Sequence, residues 1–373
     1  VKHCTYAPGL ERAEYRMGLV VTALSALLLL VPLWTLLRTR SGPRTPDRSG
    51  HFHNIALPYL FLLPTLIILI LFLYYPAVQI MLTSLQRKIF PLPQAKFSCM
   101  ANYVSLKDDQ VYRDSFMSTL QITGLIVIFS LIVALAIAVL ASQKVKGASI
   151  YRTLLIWPYA ISPVVTGVIF LSMFQEGGIG VLNWAIKGFM DLLPNGIANP
   201  INSSMADLIP GWPEPHWFKD ASLAPWVIVA SAVWNLLGFN ILFYIAGLQN
   251  IPEDLLEAAS LDGANQFTRF WRITFPLLSP FTFFLLVTNI TYSFYGIYGV
   301  VDTLMPSGGP RLATAGGQSG ATNVLIFKLY NDSFNTGTQA GIGAAQAVML
   351  FLMVAAFTIL QFRFIERRVT YEA

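Results

Sequence analysis

Charge is what this 373-residue chain has least of: Asp, Glu, Lys and Arg together make up 12% of it, about half the share of an ordinary soluble domain. So little charge cannot keep a large surface in water, which excludes a soluble enzyme. Cysteine is nearly absent. Two residues, Cys4 and Cys99, are too few for a disulfide scaffold, and the sequence leaves open whether they pair. A hydrophobic content of 55% excludes a disordered chain, and the lack of strand-period alternation excludes a β-barrel. Catalytic patterns are missing too. There is no Ser/His/Asp or paired-carboxylate arrangement and no Walker A pattern G-x-x-x-x-G-K-[ST], so no catalytic residue is assigned and the chain reads as a non-enzyme. His51 and His53 stand without cysteines or acids at ligand spacing, which gives no metal site. The net charge of +5 does not point to nucleic acid, because the basic residues lie in short segments between apolar runs.

Those runs decide the class. A bilayer core about 30 Å thick requires roughly 20 apolar residues in a helix, since backbone polar groups in lipid must be satisfied within the segment. Seven stretches qualify: Met17 to Leu37, Ile55 to Tyr75, Thr119 to Leu140, Thr153 to Phe174, Pro225 to Leu248, Pro280 to Val301 and Ala344 to Phe362. None holds a charge in its centre, as the cost of burying one in hydrocarbon predicts. Prolines 58, 64 and 76 in the second run, and 158 and 163 in the fourth, predict kinks or interruptions.

Positive residues between spans set the orientation. Arg38, Arg40, Arg44 and Arg48 place the segment after the first run in the cytoplasm; Lys144, Lys146 and Arg152, and later Arg363, Arg367 and Arg368, place the third connection and the C-terminus there as well. The acid-rich segment from Glu176 to Asp220 suits the outside. The loop after the second run carries Arg87, Lys88, Lys96, Lys107 and Arg113, but its length and Asp108, Asp109 and Asp114 weaken that vote and it too is kept outside. The first run is either an uncleaved signal-anchor or an extra packed helix. Between Gly178 and Met190, Ile179, Leu182, Ile186 and Phe189 share one helical face, the pattern of an interfacial helix at the outer surface.

One cytoplasmic connection is longer than topology requires and is not basic: QNIPEDLLEAASLDGANQFTRFWRITFPLLS, residues 249–279. Pro252 with Glu253 and Asp254 is a helix start, with the acids at the positive end of the dipole. Gly263 marks the end of that helix, where a left-handed residue is needed. A second helix follows through Phe267, Phe270, Trp271 and Ile273, and Pro276 and Pro280 are expected to stop it. A compact knob with Leu, Ala and aromatic residues suits a groove in another protein; Glu253, Asp254 and Glu257 argue against a seat on anionic headgroups.

Within that loop, E-A-A-S-L-D-G-A at Glu257 to Ala264, with Ile273 and Pro276 beyond it, resembles the EAA signature of the membrane subunits of binding-protein-dependent ABC importers. Phe275 stands where the family usually has Leu. From about Leu57 onward the chain is similar to the branch of these permeases that serves sn-glycerol 3-phosphate. That similarity is carried by YRTLLIWPYAISPVVTGVIF at 151–170, LLEAASLDGA, SGGP at 307–310 and GAAQAVMLFLMVAAFTILQFRFIERRV at 343–369, with an insertion around 192–219.

The resemblance implies an all-α type I ABC importer transmembrane domain of six core spans in residues 51–373, preceded by one extra span and a basic linker in residues 1–50. It implies an inner-membrane protein whose coupling residues are Glu257, Ala258, Ala259, Asp262, Gly263, Ile273 and Pro276, docked in a cleft of a cytoplasmic ATPase. The implied partners are a homologous second permease subunit, two copies of the ATPase, a solute-binding protein outside and the lipid bilayer. This chain would bind no cofactor, ATP and Mg belonging to the ATPase. A secondary transporter would want ionisable residues inside the spans, and none is seen.

The solute is less constrained. Glycerol 3-phosphate or a related glycerophosphodiester follows from the resemblance, with a sugar such as maltose or trehalose as the alternative. Polar groups that could line a polyol pathway are Asn235 and Asn240 in the fifth run and Asn289, Tyr292 and Tyr295, at spacing three, in the sixth. The same residues could instead tie helices together or cap kinks.

Overall fold

A computed structural model describes residues 56–88, 95–142, 148–175, 179–305, 320–335 and 339–365. The first apolar run, the Arg38 to Arg48 cluster, His51, His53, Cys4 and the SGGP segment lie outside these residues. The chain forms two compact units, one from residues up to Leu106 with Asp332–Val348, the other from Lys107–Asn331 with Met349 onward.

In the first unit, α1 (Ala56–Leu69) and α2 (Tyr75–Ser84) form one helix through a π-turn, Ile70–Tyr74. The N–H of Tyr75 bonds the carbonyl of Ile70, five residues back, immediately before Pro76. The wider turn absorbs the proline, which lacks a donor and would crowd the preceding turn. Pro76 therefore does not end the span near Tyr75, as the apolar run suggested. Two short strands follow, β1 (Gln86–Lys88) and β2 (Ala95–Phe97), antiparallel with Arg87 opposite Lys96. They are an addition to an otherwise helical fold. The amide of Asn102, on α3 (Ala101–Asp108), donates to the carbonyls of Ser84 at 2.8 Å and Gln86 at 2.9 Å and holds the end of the span to the strand.

The second unit is organised by α4 (Gln110–Ala141). Asp109 caps its start, accepting the Val111 N–H at 2.8 Å. The fourth span is broken: α5 (Ala148–Ile156) runs into a 3₁₀ turn at Trp157–Ala160, and α6 (Pro163–Met173) leaves at 104°. Pro158 and Pro163 interrupt it as expected, Pro163 at a helix start where its missing donor is harmless.

Beyond it, α7 (Val181–Leu192) and α8 (Asn195–Leu208) fold the insertion into a small helical cap. Buried Asn183 accepts from the Trp217 indole at 2.7 Å and donates to the Pro215 carbonyl at 3.4 Å, and Lys187 bonds Glu214 at 2.7 Å. That hydrogen bond, and then the Lys187 charge, hold the Glu214 carboxyl below its usual range. The expected interfacial face is split. Leu182 and Ile186 turn inward beside Asn183 and Met190, while Ile179 and Phe189 stay exposed.

The chain returns as α9 (Ala224–Gln249), which packs along α4. Ala134, Ala138 and Ala141 are small enough to bring α4 close to Ile241, Tyr244 and Ile245, and a second core joins Ile122 and Ile126 to Val227, Ile228, Val300 and Val301. After α9 come α10 (Glu253–Leu261), α11 (Gln266–Arg269), α12 (Phe275–Leu277), α13 (Ser279–Tyr295), α14 (Tyr298–Leu304), α15 (Leu325–Tyr330) and α16 (Ala340–Leu360). The N–H of Leu325 donates to Thr119 at 2.7 Å, and Lys328, only 8% exposed, pairs with Asp109 at 3.1 Å.

Among the described residues, four helices are long and apolar enough to cross a membrane, and there are six spans if each of two bent pairs counts as one. The second pair, Gln266–Leu277 with Ser279–Tyr295, bends by 64°.

At Gly238 of α9 an added Cβ would stand 2.5 Å from the Ile156 carbonyl oxygen at the break of the fourth span. Gly124 of α4 has nothing within 4 Å of that position. Gly238→Leu is expected to destabilise the protein by about 3 kcal/mol or more, and Gly124→Ala not at all. Thermal unfolding of the two purified variants in detergent checks this, and equal melting temperatures would refute the close packing.

Candidate functional site

The loop between α9 and α13 is an exposed helical hairpin. Pro252 precedes α10, with Glu253 and Asp254 in its first turn. At its end the Ala264 N–H bonds the Ala259 carbonyl at 3.0 Å, the Gly263 N–H bonds Ser260 at 3.1 Å, and Gly263 adopts φ +78. This is a Schellman closure, the turn that a glycine at this position allows without strain. Asn265 then caps α11 by accepting the Thr268 N–H at 2.8 Å. Arg269 ties the second helix back to the first, reaching Ser260 Oγ at 2.9 Å and the Leu256 carbonyl at 3.4 Å.

Pro276 does not stop this second helix. A π-turn at Phe270–Thr274 precedes it and the helix continues to Leu277, so the bend falls at Leu278 instead. The device is the one found before Pro76. Phe267, Phe270, Trp271 and Phe275 form a chain of edge-on and tilted ring contacts, with Trp271–Phe275 centroids 5.1 Å apart, and Phe275 stands inside this cluster. Glu257, Ala258, Asp262 and Gly263 are exposed, and Ala259, Ile273 and Pro276 are half-buried. Among the described residues, nothing beyond its chain neighbours lies within 4 Å of a Cβ at Gly263. Such a surface has the shape and chemistry to enter a groove of another protein.

The polar span residues fall into two groups rather than one stripe. Asn235 is buried and donates to the Ile161 carbonyl at 3.0 Å, the Pro158 carbonyl at 3.5 Å and Thr166 Oγ1 at 3.1 Å, while its oxygen accepts from the Tyr292 hydroxyl at 3.0 Å. Its donors are used entirely at the break of the fourth span. Asn289 donates to Asn240 Oδ1 at 3.1 Å and to Ser130 Oγ at 3.4 Å, joining α13, α9 and α4. Asn240 Nδ2 and Asn289 Oδ1 have no hydrogen-bond partner among the described residues. Tyr295 stands apart, 58% exposed.

Ser130 and Thr166 were not singled out in the sequence, where one hydroxyl in an apolar run carries no signal; the spacing Ser130, Ala134, Ala138 of small residues on one face is the clue. Arg152, read for topology, also caps α4 by donating to the Ala141 carbonyl at 3.1 and 3.2 Å. Lys328 lies outside every apolar run and was not read at all.

Removing the Asn235 amide takes away the bonds to the Ile161 carbonyl and from the Tyr292 hydroxyl, at about 1–3 kcal/mol for each buried group left unmade, while the Pro158 carbonyl keeps the Ile161 N–H. Asn235→Ala should therefore lower the melting temperature of the detergent-purified subunit, while Tyr295→Ala leaves it unchanged; equal effects would refute the role of Asn235 at the break.

Two solved structures share this fold. One, described as a bacterial ABC transporter involved in the import of the acidic polysaccharide alginate, has a TM-score of 0.63 at 20% identity and covers 84% of this chain and 96% of that one. The second is a bacterial alginate ABC transporter in complex with an alginate pentasaccharide-bound periplasmic protein, with a TM-score of 0.64 at 18% identity over 85% and 96% of the two chains. Among curated relatives, the sn-glycerol-3-phosphate transport system permease protein UgpA of Agrobacterium fabrum is 38% identical, covering 87% of this chain and 99% of its own. Its counterpart from Yersinia pestis is 35% identical over 88% and 100%. Residues 114–371 match the family described as "Binding-protein-dependent transport system inner membrane component". The chain belongs to this family, as a multi-pass permease subunit of an ABC importer with the type I transmembrane fold.

Proposed function

We propose that this chain forms half of the translocation pathway of an ATP-driven importer for sn-glycerol 3-phosphate, and that the hairpin of residues 253–277 couples it to a separate ATPase. The observation that carries this reading is the hairpin itself: internally braced by the Schellman turn and Arg269, exposed on its outer face, and continuous with a span through Leu278. A loop with no partner has little use for such bracing. The substrate is carried over from the named UgpA relatives.

In this reading the hairpin and the C-terminus face the cytoplasm. Glu257 pairs with a basic residue of the ATPase, Ala258 and Ala259 permit close approach, and Asp262 and Gly263 form the turn at the cleft wall. Ile273 and Pro276 seat the second helix. A homologous permease subunit completes the pathway, two copies of the ATPase bind and hydrolyse ATP with Mg, and a solute-binding protein delivers the solute from outside. This chain performs no chemistry of its own.

ATP-driven closure draws the hairpin inward and tilts the spans, and hydrolysis resets them. Tyr295 is available to solute, and Asn240 and Asn289, each with one unpaired amide atom, become available when α9 and α13 part. Asn235 and Tyr292 lie at the pathway edge as positioning groups for the broken span.

One observation favours a second reading. No apolar run carries a cation at its centre, and the buried Lys328 is engaged by Asp109, which suits an uncharged sugar. Under the first reading the phosphate is recognised by the binding protein, by the partner subunit or by helix N–H groups. Titrating the cognate solute-binding protein with glycerol 3-phosphate and with maltose separates the two, tight binding of maltose alone deciding for the sugar.

Coupling is tested at Gly263. A Cβ at Gly263 meets no described atom within 4 Å beyond its chain neighbours, so the main penalty of Gly263→Leu within the chain is the left-handed backbone, about 1–2 kcal/mol. The subunit is expected to remain in the membrane and assemble, while uptake falls to background and ATP hydrolysis no longer responds to loaded binding protein. Unchanged uptake in proteoliposomes would sink the coupling assignment.

A further inference from the structure

Helix α7 has three distinct sides. Leu182, Asn183, Ile186 and Met190 face the rest of the cap, where Asn183 and Met190 are buried. Lys187 and Asp191 form a charged flank. Between them, on the helical projection, Val181, Trp184, Ala185, Gly188, Phe189 and Leu192 fill a charge-free sector about 140° wide. Its four large side chains are left open, Val181 60%, Trp184 69%, Phe189 61% and Leu192 83% exposed. The helix cannot turn them inward, because the Asn183 bonds to Trp217 and Pro215 and the Lys187–Glu214 pair fix its rotation.

We propose that this sector of α7 seats in the lipid leaflet at the end of the bundle opposite the coupling hairpin. The hairpin and the cap leave from opposite ends of α9, which fixes the leaflet. An exposed apolar surface leads up to it: Val164, Val168 and Leu171 of α6 are exposed along the preceding half-span, and Ile179, just before α7, is exposed as well. Trp184 brings a ring with one polar edge, suited to the boundary between acyl chains and headgroups. The charged flank of Lys187 and Asp191 is adjacent, where an interfacial helix keeps its groups in water. A soluble protein that must dock and leave would find no charge in this sector to set its register. The insertion thereby acts as an anchor that lies on the membrane, holding the far half of the broken span.

The test uses the assembled importer in nanodiscs, with p-benzoylphenylalanine replacing Trp184, Phe189 or, as a control, Ala206, which is exposed on α8 away from Ile201 and Leu208. After irradiation with binding protein present, lipid adducts at positions 184 and 189 are expected about tenfold above those at 206. Cross-links to the binding protein in place of lipid, or lipid adducts no more frequent than at 206, would overturn the proposal. An independent readout is fluorescence with lipids brominated near the headgroup. Trp184→Phe should remove a quenchable component of the wild-type emission, and an unchanged quenchable fraction would overturn it too.

Discussion

In hydrocarbon, a broken helix has no water to satisfy its backbone, so each interruption must be repaired from within the chain. This constraint shapes the permease more than any single contact. Pro76, within a span, is preceded by a π-turn at Ile70–Tyr74 that lets the helix pass the missing donor, and the hairpin uses the same device before Pro276, at Phe270–Thr274. The sharper break of the fourth span cannot be mended that way. It is mended from outside the helix, by the side chain of Asn235 reaching the carbonyls of Ile161 and Pro158 and the hydroxyl of Thr166. Arg152 does the same for the C-terminal carbonyl of Ala141. Polar residues inside the spans therefore serve structure first, Asn235 at the break and Asn240, Asn289 and Ser130 between helices, and any role toward solute is added to that.

Periodicity and composition carried much of the fold into view. Apolar runs two to seven reappear as four long helices and two bent pairs, and the break at Pro158 and Pro163 falls where prolines place it. The first helix of the hairpin and its turn were legible, because their signals are local: acids after Pro252, then a glycine where φ must be positive. What local signals could not show was what a proline would do. Pro76 and Pro276 look alike in sequence to any helix breaker, and only a π-turn, which has no sequence mark of its own, decides that the helix continues.

The polar interior was half legible. Its members could be named because an Asn or Tyr in an apolar run is conspicuous, yet their partners lie up to 159 positions away, as with Asn289 and Ser130. Spacing of three on α13 suggested one stripe of Asn289, Tyr292 and Tyr295. At 100° per residue that stripe drifts by 60° each step, enough to send Asn289 to α4 and α9, Tyr292 to Asn235 and Tyr295 outward. The cap misled similarly: one apolar face was expected on α7, but that helix has two, and only packing decides which of them the protein itself covers.

The repairs also connect the two ends of the bundle. Leu278, at the bend between hairpin and span, is fully buried in a cluster with Ala138, Ala141, Tyr244 and Ile245. Displacing the hairpin must move that cluster, because a close-packed interior does not deform smoothly. Farther along α9 the same helix carries Asn235, which grips the broken span, and across from it Tyr292 of α13 grips Asn235. A tilt of α13 relative to α9 cannot leave both bonds intact, so under the coupling proposed above the Asn235 junction is where such a tilt would be felt. A helix that stayed continuous there would bend elastically. One that is broken, and pinned there by the Asn235 amide and by the close packing of Gly238 on Ile156, offers a joint of the kind an alternating-access pathway can use.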